Sequence, residues 1–406
     1  MGEPADKKDP RSVFVSGHHK SFVTQSGLVA VLQHVRKHGL PSALSRRTVK
    51  RDRSLALPRE TPLGPLWGEI EVEMLKGPNK KYPMINPMAL LWFLCTECVG
   101  FRDAFRQQVA KHQPSLHTPH SVCIYQDEVL PGNPLRVTNE RKLQCWYWSI
   151  AELGYFCGDE DFWLHILAVR TSEVKKIKSG TAQLFKLVVE KFFAFPYSMQ
   201  NGVLLPLGET TVMWHGRMAV ILGDEVALKN CLSFKGAAGT LPCPLCRNVC
   251  QWASDLHTHD HSGFLIPHTE SDTALMVPHT ADSIREAMNL LRTQHSVLSK
   301  SKFEALEKNL GLLYQPEGAM YDDQFHSRFL RGPLGSLQFD WMHCYCVSGA
   351  MNHEIGLMMS SLEGLLSHWP LKEYDFDFFP SIIFLIICVS PMLKIYIYIY
   401  ICHSLF

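Results

Sequence analysis

Apolar and polar positions divide the chain into strand-like and helix-like stretches. Residues 86–112 carry Leu90, Leu91, Leu94, Cys98, Phe101 and Phe105 on one broad face, with Pro87 near the start, which predicts a helix. Residues 120–127 form a short apolar run that ends on Asp127 and predicts a first strand. The segment Val129-Leu-Pro131-Gly132-Asn133-Pro134 reads as a turn. Residues 142–153, rich in aromatics, and residues 163–170 predict a second and a third strand. Between Gly180 and Phe193, Leu184, Leu187, Val188 and Phe192 recur at helical spacing. Residues 202–223 then read as a hairpin or one long strand running into Asp224, and a helix starts at Glu225 with Val226, Leu228 and Cys231.

The flanks are less regular. Residues 1–25 read as a flexible basic arm, and residues 26–112 as a helical N-terminal region. Within that region Leu28, Val31, Leu32 and Val35 are helical in period, followed by a break at Gly39-Leu-Pro41 and a second short basic helix. Residues 55–85 are dense in proline and glycine, which predicts a linker or extended wrap. Residues 118–231 form the candidate core, 232–345 an insertion with one helix around Ser283–Leu313, and 346–377 a remaining helical part.

Strand-strand-strand-helix-strand is a mixed α/β order and matches an RNase H-like fold, although a mixed α/β domain without an active site has the same order. In the RNase H-like arrangement the first and fourth strands end side by side. Asp127 and Asp224 would then hold two divalent metals roughly 4 Å apart, suited to in-line phosphoryl transfer. Taken singly, each aspartate has a plainer reading. Asp127-Glu128 before a Pro-Gly turn is a common exposed strand end, and Asp224 suits a helix N-cap.

Composition narrows the class. Hydrophobic content of 46% against 19% charged residues suits a folded globular protein. The net charge of +1 excludes global charge as a guide to partners. Its distribution is informative, because residues 1–60 hold twelve Lys/Arg against five Asp/Glu. Arg46, Arg47, Lys50, Arg51 and Arg53 form a basic run that suits phosphate contact or a nuclear address; a solvated basic tail is the plainer alternative.

The thirteen cysteines follow no secretory leader, since the first residues are polar, so a disulfide framework is not expected. Cys243-Pro-Leu-Cys246, with Cys250 and then His257 and His261, has the spacing and ligand types of a structural Zn²⁺ site. A redox pair or free thiols are the alternatives. Asp340 and His343, three apart in Phe339-Asp-Trp-Met-His343, suit a shared metal or hydrogen bond; a buried, satisfied histidine with a capping aspartate is the plainer reading.

Residues 378–406 are strongly apolar. Pro391 and Lys394 interrupt the run, and its Ile-Tyr alternation has period two. An ATAT repeat encodes such an alternation, so the tail reads as translated noncoding sequence. The alternative is a membrane anchor over 379–402.

Several of these segments occur in a fixed order: IYQDEVLPGN at 124–133, Arg141-Lys142, Trp148-Ser149, GDEVALKN at 223–230, the CPLC pair and FDWMH at 339–343. Together they resemble the transposases of Kyakuja-Dileera-Zisupton elements, within the wider group of DDE transposases, over roughly residues 25–370. The resemblance implies an RNase H-like core with Asp127 and Asp224 as the first and second catalytic aspartates. It matches Cys243 and Cys246 to a cysteine pair in the insertion, and Asp340 and His343 to a downstream motif. The family's third acid is a glutamate on a later helix, for which Glu354 and Glu363 are candidates beside Asp340. It also implies Mg²⁺ or Mn²⁺ as catalytic cofactor, transposon-end DNA as substrate, a nuclear site of action and compatibility with a homo-oligomer. A copy truncated before its third acid would be inactive and would leave a domesticated zinc and DNA-binding protein.

Overall fold

The computed structural model describes residues 33, 35–37, 60–130, 142–193, 198–323, 325 and 335–340. The described part opens with two small antiparallel pairs, β1 (Glu60–Thr61) with β2 (Gly64–Pro65), and β3 (Trp67–Val72) with β4 (Lys80–Ile85). Of the segment expected as a linker or extended wrap, residues 60–85 hold these two β pairs. Ile70 and Val72 on β3 and Tyr82 and Met84 on β4 alternate with exposed neighbours and face the core. Gly77 makes the intervening turn with φ +87, a conformation that disfavours a side chain.

Two helices follow, α1 (Pro87–Glu97) and α2 (Val99–Lys111). The single helix expected over 86–112 is thus interrupted at Cys98, whose backbone is extended at φ −101 and ψ 95. Asn86 caps α1 by accepting from the amides of Met88 and Ala89. At the break, the Arg102 guanidinium donates to the carbonyl of Thr96, which gives one of the orphaned helix-end acceptors a partner.

The centre of the molecule is a five-stranded mixed sheet. It contains β5 (His120–Val129), β6 (Leu143–Ile150) and β7 (Leu164–Arg170), then β10 (Gly216–Gly223) and β13 (Leu337–Phe339), in the spatial order β7-β6-β5-β10-β13. The first three strands pair antiparallel; β10 lies parallel to β5, and β13 parallel to β10. Helix α3 (Gly180–Phe193) crosses one face. There Trp146 stacks on Phe185 with ring centroids 6.1 Å apart, and Trp148 meets Phe192 edge-on at 5.2 Å. All four rings are fully buried. Burial of such a side chain stabilises by roughly 2 kcal/mol, and each aromatic pair adds about 1 kcal/mol, so this face anchors the sheet.

Residues 202–214 form a separate hairpin of β8 (Val203–Leu207) and β9 (Thr210–Trp214), and β10 follows after His215. Helix α4 (Glu225–Cys231) leaves the end of β10. The insertion then includes a small parallel pair, β11 (Val249–Cys250) with β12 (Ile266–Pro267), and two helices, α5 (Ala281–Gln294) and α6 (Lys300–Leu310), where one had been expected. Thr280 and Ser283 build a reciprocal capping box at the start of α5. Within the segment expected as an insertion, β13 at residues 337–339 pairs with β10 in the central sheet.

Candidate active site

Three parallel strand ends define the site. Leu222 on β10 stands opposite Tyr125 on β5, and Gly223 stands opposite Phe339 on β13. Continuing that register places Asp224 level with both Asp127 and Asp340. Asp224 and Asp340 each lie just beyond a strand, and Asp127 lies near the end of β5; all three are partly exposed. The amide of Asp340 donates to the carbonyl of Gly223 at 2.9 Å and fixes the third strand end against the second. Gly223 itself is closely packed: a Cβ there would lie 2.9 Å from the Ala227 Cβ and 3.2 Å from the Gln126 carbonyl oxygen.

The carboxylates have their own partners. Asp224 caps α4, its Oδ1 accepting from the Ala227 amide at 2.6 Å. Asp127 Oδ1 accepts from the amide of Glu128 at 2.7 Å. Asp340 Oδ2 accepts from the Tyr125 hydroxyl at 3.4 Å. Burial, and then the charges of Asp127 and Asp340, raise the Tyr125 phenol well above its ordinary value and keep it a neutral donor. Its ring is held edge-on by Trp163 at 5.8 Å and lies beside Tyr147 at 6.3 Å. Tyr125 was not among the residues singled out from sequence. The available signal was its place two residues before Asp127, on the same face of one strand.

Neighbouring acids serve the scaffold. Glu128 is paired with Lys142 and accepts from the Thr171 hydroxyl at 2.8 Å. Glu225 accepts from the Ala237 amide at 3.2 Å, tying α4 to the loop that follows it. Cys145, directly across from Asp127 on β6, has its thiol pushed up by burial.

The expected zinc ligands form two separate pairs. Burial, and then Cys243, push the Cys246 thiol up to about 11. Cys250 is fully buried, with its Sγ 3.3 Å from the Ile266 carbonyl oxygen and 3.9 Å from Nδ1 of His257. His261 is exposed. Among the described residues, no group of three or more His, Cys, Asp and Glu side chains is gathered to hold a metal ion. Neither the three aspartates nor the cysteine cluster makes such a group. The donor types nevertheless fit: hard carboxylate oxygens suit Mg²⁺ or Mn²⁺, and paired thiols suit Zn²⁺.

No protein-family model and no curated protein matches this chain. The basic run Arg46, Arg47, Lys50, Arg51 and Arg53 lies outside the described residues, as do Glu354, Glu363, His343 and the 379–402 segment. Among the described residues, no helix is long and apolar enough to cross a membrane.

Proposed function

We propose that this chain is a transposon-derived polynucleotidyl transferase of the DDE type on an RNase H-like core, similar to the Kyakuja-Dileera-Zisupton transposases. The observation that carries the reading is the register of Asp127, Asp224 and Asp340 at the ends of three adjacent parallel strands. The sheet order β7-β6-β5-β10-β13, with only β6 antiparallel to its neighbours, supports the fold assignment. In this reading Asp127 and Asp224 are the principal ligands of Mg²⁺ or Mn²⁺, and Asp340 is the third carboxylate that the sheet offers. The bound metal would supply Lewis-acid stabilisation of charge on a DNA phosphodiester and a lowered pKa for bound water. The carboxylates position and neutralise; they do not themselves attack the phosphodiester. A structural Zn²⁺ on Cys243 and Cys246 would brace the insertion, and the basic run from Arg46 to Arg53 would grip DNA ends in the nucleus.

The test is Mn²⁺ binding by the full chain, read by calorimetry or by loss of the free-ion spin-resonance signal. The Asp127→Ala/Asp224→Ala double variant is expected to weaken binding by about tenfold or more and to lose any metal-dependent nicking of plasmid DNA. Unchanged Mn²⁺ affinity in the folded double variant would sink the proposal.

One observation favours a second reading, a non-catalytic zinc and DNA-binding protein. Asp224 already serves as the N-cap of α4 through Ala227. That reading predicts DNA binding that is steeply salt-dependent, indifferent to Mg²⁺ and unaccompanied by nicking.

A further inference from the structure

Six lysines stand in two short segments that hold no acid: Lys76, Lys80 and Lys81 in residues 74–81, and Lys175, Lys176 and Lys178 in residues 174–178. The fold sets these segments side by side. Met74 bridges Ile177 in the antiparallel sense, the Leu75 amide donates to the Lys176 carbonyl at 2.8 Å, and the Lys178 amide donates to the Glu73 carbonyl at 2.9 Å. One further step of that register brings Lys76 level with Lys175. Both are exposed, and neither forms an ion pair among the described residues. Beside them Glu173 serves two ammonium groups, Lys80 at 2.5 Å and Lys176 at 2.7 Å. The face therefore carries more positive charge than its own carboxylates offset, and like charges set level on a surface repel until an anion comes between them.

This face adjoins the strand-end aspartates. Val129 on β5 stands opposite Leu143 on β6, and Leu143 stands opposite Arg170 on β7. Arg170 is thus two strands, about 10 Å, from the end of β5, at the same end of the sheet as Asp127. Arg170 is exposed, and the short helical turn Thr171–Val174 leads from it directly to Lys175. Neither 74–81 nor 170–178 contains an aromatic residue, so the face offers no ring on which an unstacked base could rest. What it offers is charge for the phosphates along a duplex. We propose that Lys76, Lys80, Arg170, Lys175 and Lys176 form a platform for the phosphate backbone of duplex DNA and lead the duplex across the end of β7 to the strand-end aspartates. The proposal deepens the DNA-acting reading above and rests on it for the identity of the polyanion. It adds a contact surface apart from the basic run Arg46 to Arg53.

The experiment measures binding of the full chain to a fluorescein-labelled duplex of arbitrary sequence by anisotropy. It is run over a range of salt concentrations in the absence of Mg²⁺ and Mn²⁺, so that no catalytic metal takes part. Each phosphate contact contributes about 0.9 to the slope of log K against log salt, so Lys76→Gln/Lys175→Gln is expected to lower the slope by about 2 and to weaken binding about tenfold or more at low salt. Lys300→Gln/Lys302→Gln removes the same charge from exposed positions on α6 and is expected to bind like the wild type. In the wild type, duplex DNA should also protect Lys76 and Lys175, but not Lys300, from acetylation by an N-hydroxysuccinimide ester, read by peptide mass spectrometry. An unchanged slope in the first variant, an equal loss in both variants, or a lack of protection at Lys76 and Lys175 overturns the platform and leaves DNA binding standing. Absence of duplex binding by the wild type at low salt removes the DNA-acting reading, and the platform falls with it. Protection by phosphatidylserine vesicles in place of duplex would assign the face to a lipid surface and overturns the platform too. Because protection is read on the wild type alone, it decides the matter even if the first variant fails to fold.

Discussion

At the scale of single residues, buried imidazoles make the fold sensitive to acid. His279 is half-buried beside Ser283, whose Oγ lies 3.1 Å from its Nδ1. Burial, and then the charge of Arg247, push His279 down to about 4 from its ordinary value of 6.5. Between those two values the unfolded chain binds more protons than the folded one, so stability falls as the pH is lowered. The contribution is fully present above 6.5 and is lost on the way down to about 4. Burial lowers His120 and His165 in the same direction. Urea midpoints measured across this window should therefore decline with pH, and His279→Gln should flatten the slope in part. A slope unchanged by that substitution would show that His279 does not report on folding.

At the scale of elements, the junction of β10 and α4 is the tightest part of the candidate site. Gly223→Ala would press a methyl group against Ala227 and the Gln126 carbonyl. Overpacking of this kind costs about 1–3 kcal/mol, so the urea midpoint should drop without a change in the slope of the transition. Relief by a second change, Ala227→Gly, is expected to recover part of that loss.

The same elements separate what the sequence makes readable from what it hides. The β5 run into Asp127 and the helical spacing of Leu184, Val188 and Phe192 in α3 are long, strongly patterned stretches, and both elements form as the pattern predicts. Asp224 is found at a strand end and a helix N-cap at once, as its neighbours imply. The hairpin of β3 and β4 was hidden because its alternation is brief and embedded among prolines and glycines. Pro83 sits within β4 itself, opposite Glu69. The break at Cys98 lies inside an apolar face that runs on through it, and its stabilising contact comes from Arg102, a residue that periodicity ignores. Strand β13 is three residues long, too short for a period-two signal, so the level at which Asp340 stands emerges only from its pairing with β10.

For the whole molecule, the insertion is part of the common core rather than an appended module. Phe234, Ile284, Met288, Leu291, Phe303 and Leu312 join the same apolar cluster as the sheet residues Trp146 and Trp148. Lys186 on α3 pairs with Asp322 at 2.6 Å, and Lys178 pairs with Glu317 at 2.5 Å, which fastens the far end of the insertion to the helix face. Replacing residues 241–310 by a short Gly/Ser linker is therefore expected to abolish cooperative thermal unfolding. A sharp transition retained by the shortened chain would show that the sheet is self-sufficient.

The parallel docking of β13 on β10 has a further consequence for how the protein is made. The ribosome releases β5, β6, β7 and β10 in sequence, and these can pair as soon as they emerge. The last strand follows only after the whole insertion has been synthesised. Two of the three strand-end aspartates are thus in place during translation, while the third arrives late, by closure of a long loop. A nascent chain in this state exposes the open edge of β10, which makes the interval before β13 arrives the period of greatest exposure to misassembly.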